Sequence, residues 1–183
     1  MSAGIESINY HLAKPTNDLG LLAPAFKRAV DAAIAECNSP ENALDAMVYE
    51  TYRSNELQVV YYARGRTVRP PSSTVTNASS NLYSWHGFGL AVDVIHRTQG
   101  WDPRRHGWFH DVAEIFKHHN CKWGGDWTSP DMPHFQWGAC KPSPSDLART
   151  LLRTRGIEAV WEAVGALGDP DANLREAAAQ ASS

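Results

Sequence analysis

Residues 84–93 read SWHGFGLAVD, and residues 131–134 read DMPH. From Leu90 to Ile95 every side chain is apolar except one, and successive side chains of a strand point to opposite faces. This pattern predicts a β-strand in an apolar setting. Asp93 is the exception. A carboxylate in an apolar strand is costly unless it is paired or bound to a metal, so Asp93 indicates a chemical site.

Two histidines near this strand complete a set of metal ligands. His86, Asp93 and His134 supply two imidazoles and a carboxylate, and a catalytic zinc site keeps three such ligands and one open position. His86 and Asp93 are an odd number of residues apart, so on one straight strand they would face opposite ways. Gly87 and Gly89 allow the chain to bend between them. We therefore predict that His86, Asp93 and His134 bind Zn²⁺.

Asp131 precedes His134 by three positions, close enough to lie beside the metal without binding it. A carboxylate there can take a proton from a zinc-activated water and return it to the leaving amine. We predict that Asp131 is the general base and acid. An isolated histidine more often has a structural or surface role, and six histidines lack comparable neighbours: His11, His96, His106, His110, His118 and His119.

The rest of the chain predicts a mixed α+β fold. Helical periodicity predicts a helix from Pro24 to Cys37, and a short strand and a helix capped by Ser54 follow. Arg53 therefore falls at a strand-to-helix junction. Further patterns predict a helix over residues 108–120 and a strand over residues 133–137.

Two further segments of different character accompany this predicted core. Residues 69–81 are rich in Pro, Ser, Thr and Asn and predict a long surface loop, consistent with a mobile lid or with a disordered insertion. Residues 143–183 predict two amphipathic helices, ended by Gly156 and Gly168, and an Ala-rich frayed helix or tail. We expect residues 1–142 to form the catalytic domain and residues 143–183 to form a helical extension packed on it, with a mobile end.

Composition limits the functions that the chain can have. The chain has 183 residues, of which 43% are hydrophobic and 20% charged, as in a soluble single domain. A net charge of -3 gives no broad basic surface, so we expect no nucleic-acid partner. No run of about 18 apolar residues occurs, so we expect no membrane insertion, and residues 1–12 lack the features of a signal peptide. Three cysteines argue against a complete disulfide framework. We expect a monomer.

These residues resemble a known family, the zinc D-Ala-D-Ala carboxypeptidases and dipeptidases together with the phage L-alanyl-D-glutamate endopeptidases. The family signature S-x-H-x-x-G-x-A-x-D followed by D/E-x-x-H is matched at Ser84, His86, Gly89, Ala91, Asp93, Asp131 and His134. Further matches lie at residues 52–54, at Gln58, at residues 62–67 and at residues 123–127.

The resemblance implies the hedgehog/DD-peptidase fold, a small antiparallel sheet with flanking helices. It implies that His86, Asp93 and His134 hold zinc, that Asp131 is the catalytic carboxylate, and that Arg53 and Ser84 face the substrate. A guanidinium at Arg53 could bind a carboxylate or stabilise a developing oxyanion. The alternative is a surface ion pair beside the helix cap.

The function that the sequence favours is hydrolysis of the bacterial peptidoglycan stem peptide between L-Ala and D-Glu. The motif WGGDW at residues 123–127, and Asp131 where the dipeptidases usually have Glu, resemble the endopeptidase branch. A phage endolysin would accumulate in the host cytoplasm and reach the wall through a holin. The enzymatic alternative is a D-Ala-D-Ala carboxypeptidase or dipeptidase. An alternative of another class is a catalytically inert zinc-containing domain that binds the cell wall.

Overall fold

A four-stranded antiparallel sheet with the strand order β1-β2-β4-β3 lies at the centre of the molecule. The computed structural model describes residues 14–71, 73–165 and 170–180, so the prediction for residues 1–12 lies outside the described residues. The strands are β1 (Ala46–Glu50), β2 (Ala91–His96), β3 (Cys121–Trp123) and β4 (His134–Trp137). Strand β2 is buried along nearly its whole length, as its run of Val and Ile predicts.

Three helices accompany the sheet: α1 (Pro24–Cys37), α2 (Asn55–Ala63) and α3 (Trp108–His118). Helices α1 and α3 pack on each other and against the sheet through a shared core that includes Phe26, Phe116 and Phe135. The core also fixes the chain before β1, because the indole N–H of Trp108 donates to the Leu44 carbonyl at 2.7 Å. The predicted helix from Pro24 to Cys37 is confirmed at both ends.

The C-terminal part consists of α4 (Asp146–Arg155), α5 (Ile157–Val164) and α6 (Pro170–Gln180). Two indole N–H groups attach it to the rest of the fold: Trp161 donates to the Phe88 carbonyl, in the turn before β2, at 2.6 Å, and Trp137 of β4 donates to the Val164 carbonyl at 2.7 Å. The predicted end of the second helix at Gly168 lies outside the described residues, as do residues 181–183 of the tail. The division of the chain at residue 142 stays a prediction.

The pairing of β1 with β2 contains a β-bulge. Val48 pairs with Val94 and Glu50 pairs with Asp93, so Tyr49 is an extra residue with no counterpart on β2. A bulge changes which face the following side chain occupies, because strand side chains alternate. Glu50 is therefore brought to the same face of the sheet as Asp93.

Candidate metal centre

The three predicted ligands come from three different elements that meet at one edge of the core. His86 lies in a 3-10 turn (Trp85–Phe88), Asp93 lies inside β2, and His134 begins β4. Asp93 and His134 are directly paired across the antiparallel strands, so their side chains leave the same face.

The bend predicted between His86 and Asp93 lies at Gly89. This residue has φ +63°, in the left-handed region, and ends the 3-10 turn. A Cβ atom there would lie 2.4 Å from the backbone oxygen of Leu21, so no side chain fits. Glycine is the residue that takes this backbone conformation at little cost. The tight turn is what returns the imidazole of His86 to the face that carries Asp93.

Three ligand atoms converge in the space between these side chains. His86 Nε2 lies 3.2 Å from Asp93 Oδ1 and 3.3 Å from His134 Nδ1, and the third edge, from His134 Nδ1 to Asp93 Oδ1, is 3.6 Å. Metal–ligand bonds of about 2.0–2.1 Å in tetrahedral geometry would place ligand atoms about 3.4 Å apart. The observed triangle therefore has the dimensions of one face of a tetrahedral zinc site.

Hydrogen bonds of the two imidazoles determine which nitrogens are free. His86 Nδ1 lies 2.8 Å from the Thr51 carbonyl, which can only accept, so Nδ1 carries the proton and Nε2 keeps its lone pair. His134 Nε2 lies 3.2 Å from Gln136 Oε1, and the Gln136 amide nitrogen donates to the Lys141 carbonyl at 2.7 Å. This orientation makes His134 Nε2 the donor and leaves Nδ1 free. Three lone pairs thus point at one another, an arrangement that calls for a cation.

The charge of Asp93 is also favourable for binding a cation. Burial alone would raise the pKa of Asp93, but the two imidazoles that face it, His86 and His134, and the charge of Arg53 outweigh burial. The pKa of this carboxyl is therefore held well below its ordinary value. The aspartate is in the anionic form that a metal ligand requires.

Arg53 lies behind the triangle and is buried, with 7% of its surface exposed. It donates from Nη2 to Asp93 Oδ2 at 3.2 Å, from Nε to Glu50 Oε2 at 3.1 Å, and from Nη1 to Gln58 Oε1 at 3.2 Å. Nη2 makes a second bond, to Glu50 Oε2. Four of the five N–H donors of the guanidinium are thus used within the described residues, and one on Nη1 is left. Arg53 therefore supports the candidate ligand Asp93, a contact that the sequence did not suggest.

Asp131 lies at the rim of the same cleft, in the turn that leads into β4. Its backbone N–H donates to the Gly124 carbonyl at 3.0 Å, and its carbonyl accepts from the backbone N–H of His134 at 3.2 Å. A Cβ at Gly124 would lie 2.6 Å from the Asp131 carbonyl oxygen, so the glycine of the WGGDW motif permits this approach. Asp131 is an exposed residue, but the cleft wall displaces part of the water around its carboxyl and so raises the pKa, and the charge of Asp93 adds to this effect. A raised pKa favours a group that must take and return a proton.

An open cleft of about 1110 Å³ gives access to these groups. Its lining includes the three candidate ligands, Arg53 and half-buried Ser84, with residues 74–78 and 126–131 as further wall segments. Residues 74–78 belong to the long predicted loop, whose described residues from 69 to 80 contain no helix or strand. Gln58 and Arg66 fasten this loop by donating to the carbonyls of Ala78 and Thr76 at 2.7 and 2.9 Å.

The other described histidines lie elsewhere in the molecule. His119 pairs with Glu36 at 2.7 Å, and His96 lies 3.8 Å from Asp45. Among the described residues, His86, Asp93 and His134 are the group that could hold a metal ion. His11 lies outside the described residues.

Two imidazoles and a carboxylate, supported by hydrogen bonds and accompanied by a carboxyl group in an open cleft, are the features of a metal-dependent hydrolase. A family model described as D-alanyl-D-alanine carboxypeptidase matches residues 77–137. The peptidoglycan L-alanyl-D-glutamate endopeptidase CwlK of Bacillus subtilis (strain 168) is 32% identical over 127 residues, which cover 63% of this chain and 72% of CwlK. The chain therefore belongs to the zinc metallopeptidase family that contains these carboxypeptidases and endopeptidases, a family of hydrolases.

A solved structure, that of the L-Ala D-Glu endopeptidase ChiX of Serratia marcescens, is also similar to this chain. The match covers 72% of this chain and 95% of the ChiX chain, with a TM-score of 0.48 and 22% sequence identity. The predicted family and the predicted α+β class are confirmed. Within the residues that the structure describes, no helix combines the length and the apolar composition needed to cross a bilayer.

Proposed function

We propose that this protein is a zinc endopeptidase that hydrolyses the bond between L-Ala and D-Glu in the peptidoglycan stem peptide. The observation that carries the proposal is the convergence of His86 Nε2, Asp93 Oδ1 and His134 Nδ1 at 3.2–3.6 Å within the cleft that Asp131 lines. The substrate follows from the similarity to CwlK, an L-alanyl-D-glutamate endopeptidase by name. The motif of residues 123–127 favours the same branch of the family.

Zinc bound to the three ligands would act as a Lewis acid that makes a water more acidic and polarises the scissile carbonyl. His86 and His134 are held in the tautomers that leave a lone pair for the metal. The Thr51 carbonyl and the Gln136 amide hold these tautomers, and such partners orient a ligand and raise its basicity.

Asp131 is proposed to carry the proton. Its carboxylate takes a proton from the attacking water as the water oxygen bonds to the L-Ala carbonyl carbon. It then donates this proton to the D-Glu nitrogen as the C–N bond breaks. The remaining Nη1 hydrogen of Arg53, which lines the cleft, is available for the developing negative charge or for a substrate carboxylate. Ser84, on the same lining, is proposed to contact the peptide.

The biological setting that we propose is that of an endolysin from a phage, released to the wall through a holin. The support for it is the resemblance of residues 123–127 to the endolysin branch. Production of the protein inside bacteria should leave the cells intact until the membrane is permeabilised, and lysis should then require Asp131. Lysis without permeabilisation would argue against this setting.

Digestion of purified sacculi, followed by mass spectrometry of the products, tests the cleaved bond. We expect stem peptides that begin with D-Glu, and L-Ala retained on muramic acid. The family model describes a D-alanyl-D-alanine carboxypeptidase, so release of free D-Ala is the competing outcome and would assign that activity instead. Zinc binding and wall binding without any product would identify an inert binding domain.

A further inference from the structure

Glu50 is a buried acid that neither the metal triangle nor the proposed reaction uses. It is 1% exposed, at the end of β1, and it lines the cleft. The bulge at Tyr49 places it opposite Asp93. Without the extra residue, Tyr49 would face Asp93 and the Glu50 side chain would point to the other face of the sheet. Bulges are frequent beside active sites because they re-aim a side chain in this way.

The Glu50 carboxylate is directed at one partner. Its Oε2 atom accepts from both Nε and Nη2 of Arg53, and its Oε1 atom has no hydrogen-bond partner among the described residues. A buried ion pair with an unsatisfied oxygen contributes little to stability, because the cost of removing charge from water offsets the attraction. The arrangement is therefore poorly explained by stability alone.

Arg53 transmits the position of Glu50 to the metal site. The Nη2 group that bonds to Glu50 also donates to Asp93 Oδ2 at 3.2 Å. This bond occupies Oδ2 and leaves Oδ1 facing His86 and His134. The carboxylate of Glu50 also balances the positive charge that Arg53 would otherwise present to a cation nearby.

We propose that Glu50 is a positioning residue for the metal centre. It holds the Arg53 guanidinium so that Asp93 presents Oδ1 to zinc, and its negative charge balances the positive charge of the guanidinium near the metal site. The proposal rests on the proposed zinc site. It makes no use of Glu50 as a ligand or as a proton carrier.

The test is the zinc dissociation constant, measured by competition with a chelator for proteins whose fold has been checked by circular dichroism. Glu50→Gln keeps the shape but loses the charge, and we expect zinc affinity to fall about tenfold or more, as for other partners of metal ligands. Glu50→Asp keeps the charge but shortens the reach, so its loss should be smaller. The control is Asp45→Asn. Asp45 directly precedes β1, at the end away from Glu50, and forms an exposed ion pair with Arg97. This variant should bind zinc like the parent.

A double substitution separates positioning from a general effect on the fold. With Arg53→Gln already present, Glu50→Gln should change the dissociation constant by less than about twofold, because its effect passes through the guanidinium. Parent-like affinity in folded Glu50→Gln, or in folded Glu50→Asp if the first variant does not fold, would overturn the proposal. Full additivity in the double variant would do the same. Failure of the parent itself to bind zinc would instead reject the proposed metal site.

Discussion

Asp93 and His134 face each other across the antiparallel pair formed by β2 and β4, and this register fixes two of the three candidate ligands relative to each other. His86 is fixed independently, by the turn at Gly89 and by the bond of Nδ1 to the Thr51 carbonyl. A slip of one residue in the pairing would turn His134 to the other face, because side chains alternate along a strand. The metal triangle therefore depends on the sheet as much as on the ligands.

Replacement of His134 by Ala should abolish stoichiometric zinc binding. The variant retains only His86 and Asp93 in the triangle, and two ligands do not make the usual three-ligand catalytic site. Metal analysis after dialysis measures the bound zinc. His118→Ala, at the exposed end of α3, is the matched control and should keep one zinc per chain. Full loading of His134→Ala would remove that residue from the site.

Gln136→Leu should weaken zinc binding about 10- to 100-fold while the sheet stays folded. The substitution keeps a side chain of similar size but removes the oxygen that accepts from His134 Nε2, so the imidazole is no longer held in the tautomer with a free Nδ1. Chelator competition gives the affinity. Gln99→Leu, on an exposed turn, should have the affinity of the parent. Equal affinities of the two variants would mean that Gln136 does not control His134.

The sequence could single out the candidate ligands because Asp93 is an acid in an apolar strand, His86 lies beside glycines that permit a bend, and His134 follows an acid by three positions. Glu50 carries a similar signal, an acid at the end of an apolar stretch, but the face of the sheet that it occupies depends on the bulge at Tyr49, which arises from pairing with β2. Strand β3 has only three residues, too few for a pattern. The part played by Arg53 required three-dimensional contacts with residues far along the chain.

Asp131→Asn should keep zinc and lose at least about 100-fold in kcat, because the amide cannot accept and return the proton. Asp126→Asn is the matched control: it makes the same change on the same cleft, to an exposed acid that pairs with Lys117 at 3.1 Å. Release of peptide from sacculi, measured with zinc-saturated protein, provides the rates. A near-parental rate for Asp131→Asn would assign the proton transfer to another group.

The three cysteines should resist alkylation in the native protein and react after unfolding. Cys37, Cys121 and Cys140 are free and buried. Burial raises the pKa of Cys37 and of Cys121 to about 12 and raises that of Cys140 further, so the reactive thiolate is scarce at neutral pH. Mass spectrometry after iodoacetamide treatment should find no label in the native protein and three labels in denaturant. Rapid native labelling would contradict the burial of these thiols.

Arg53→Lys should impair both metal binding and turnover, because lysine keeps the charge but cannot reproduce the planar fork that joins Glu50, Gln58 and Asp93. The two effects can be separated. At low zinc concentration the loss of activity should reflect weaker zinc binding, because Asp93 is no longer held by the guanidinium. At saturating zinc a loss of about tenfold or more in kcat/KM should persist, because lysine lacks the Nη1 donor that is proposed to reach the substrate. Arg97→Lys, in an exposed pair with Asp45, should match the parent in both measurements. If added zinc alone restores the full kcat/KM of Arg53→Lys, Arg53 supports Asp93 but does not contact the substrate.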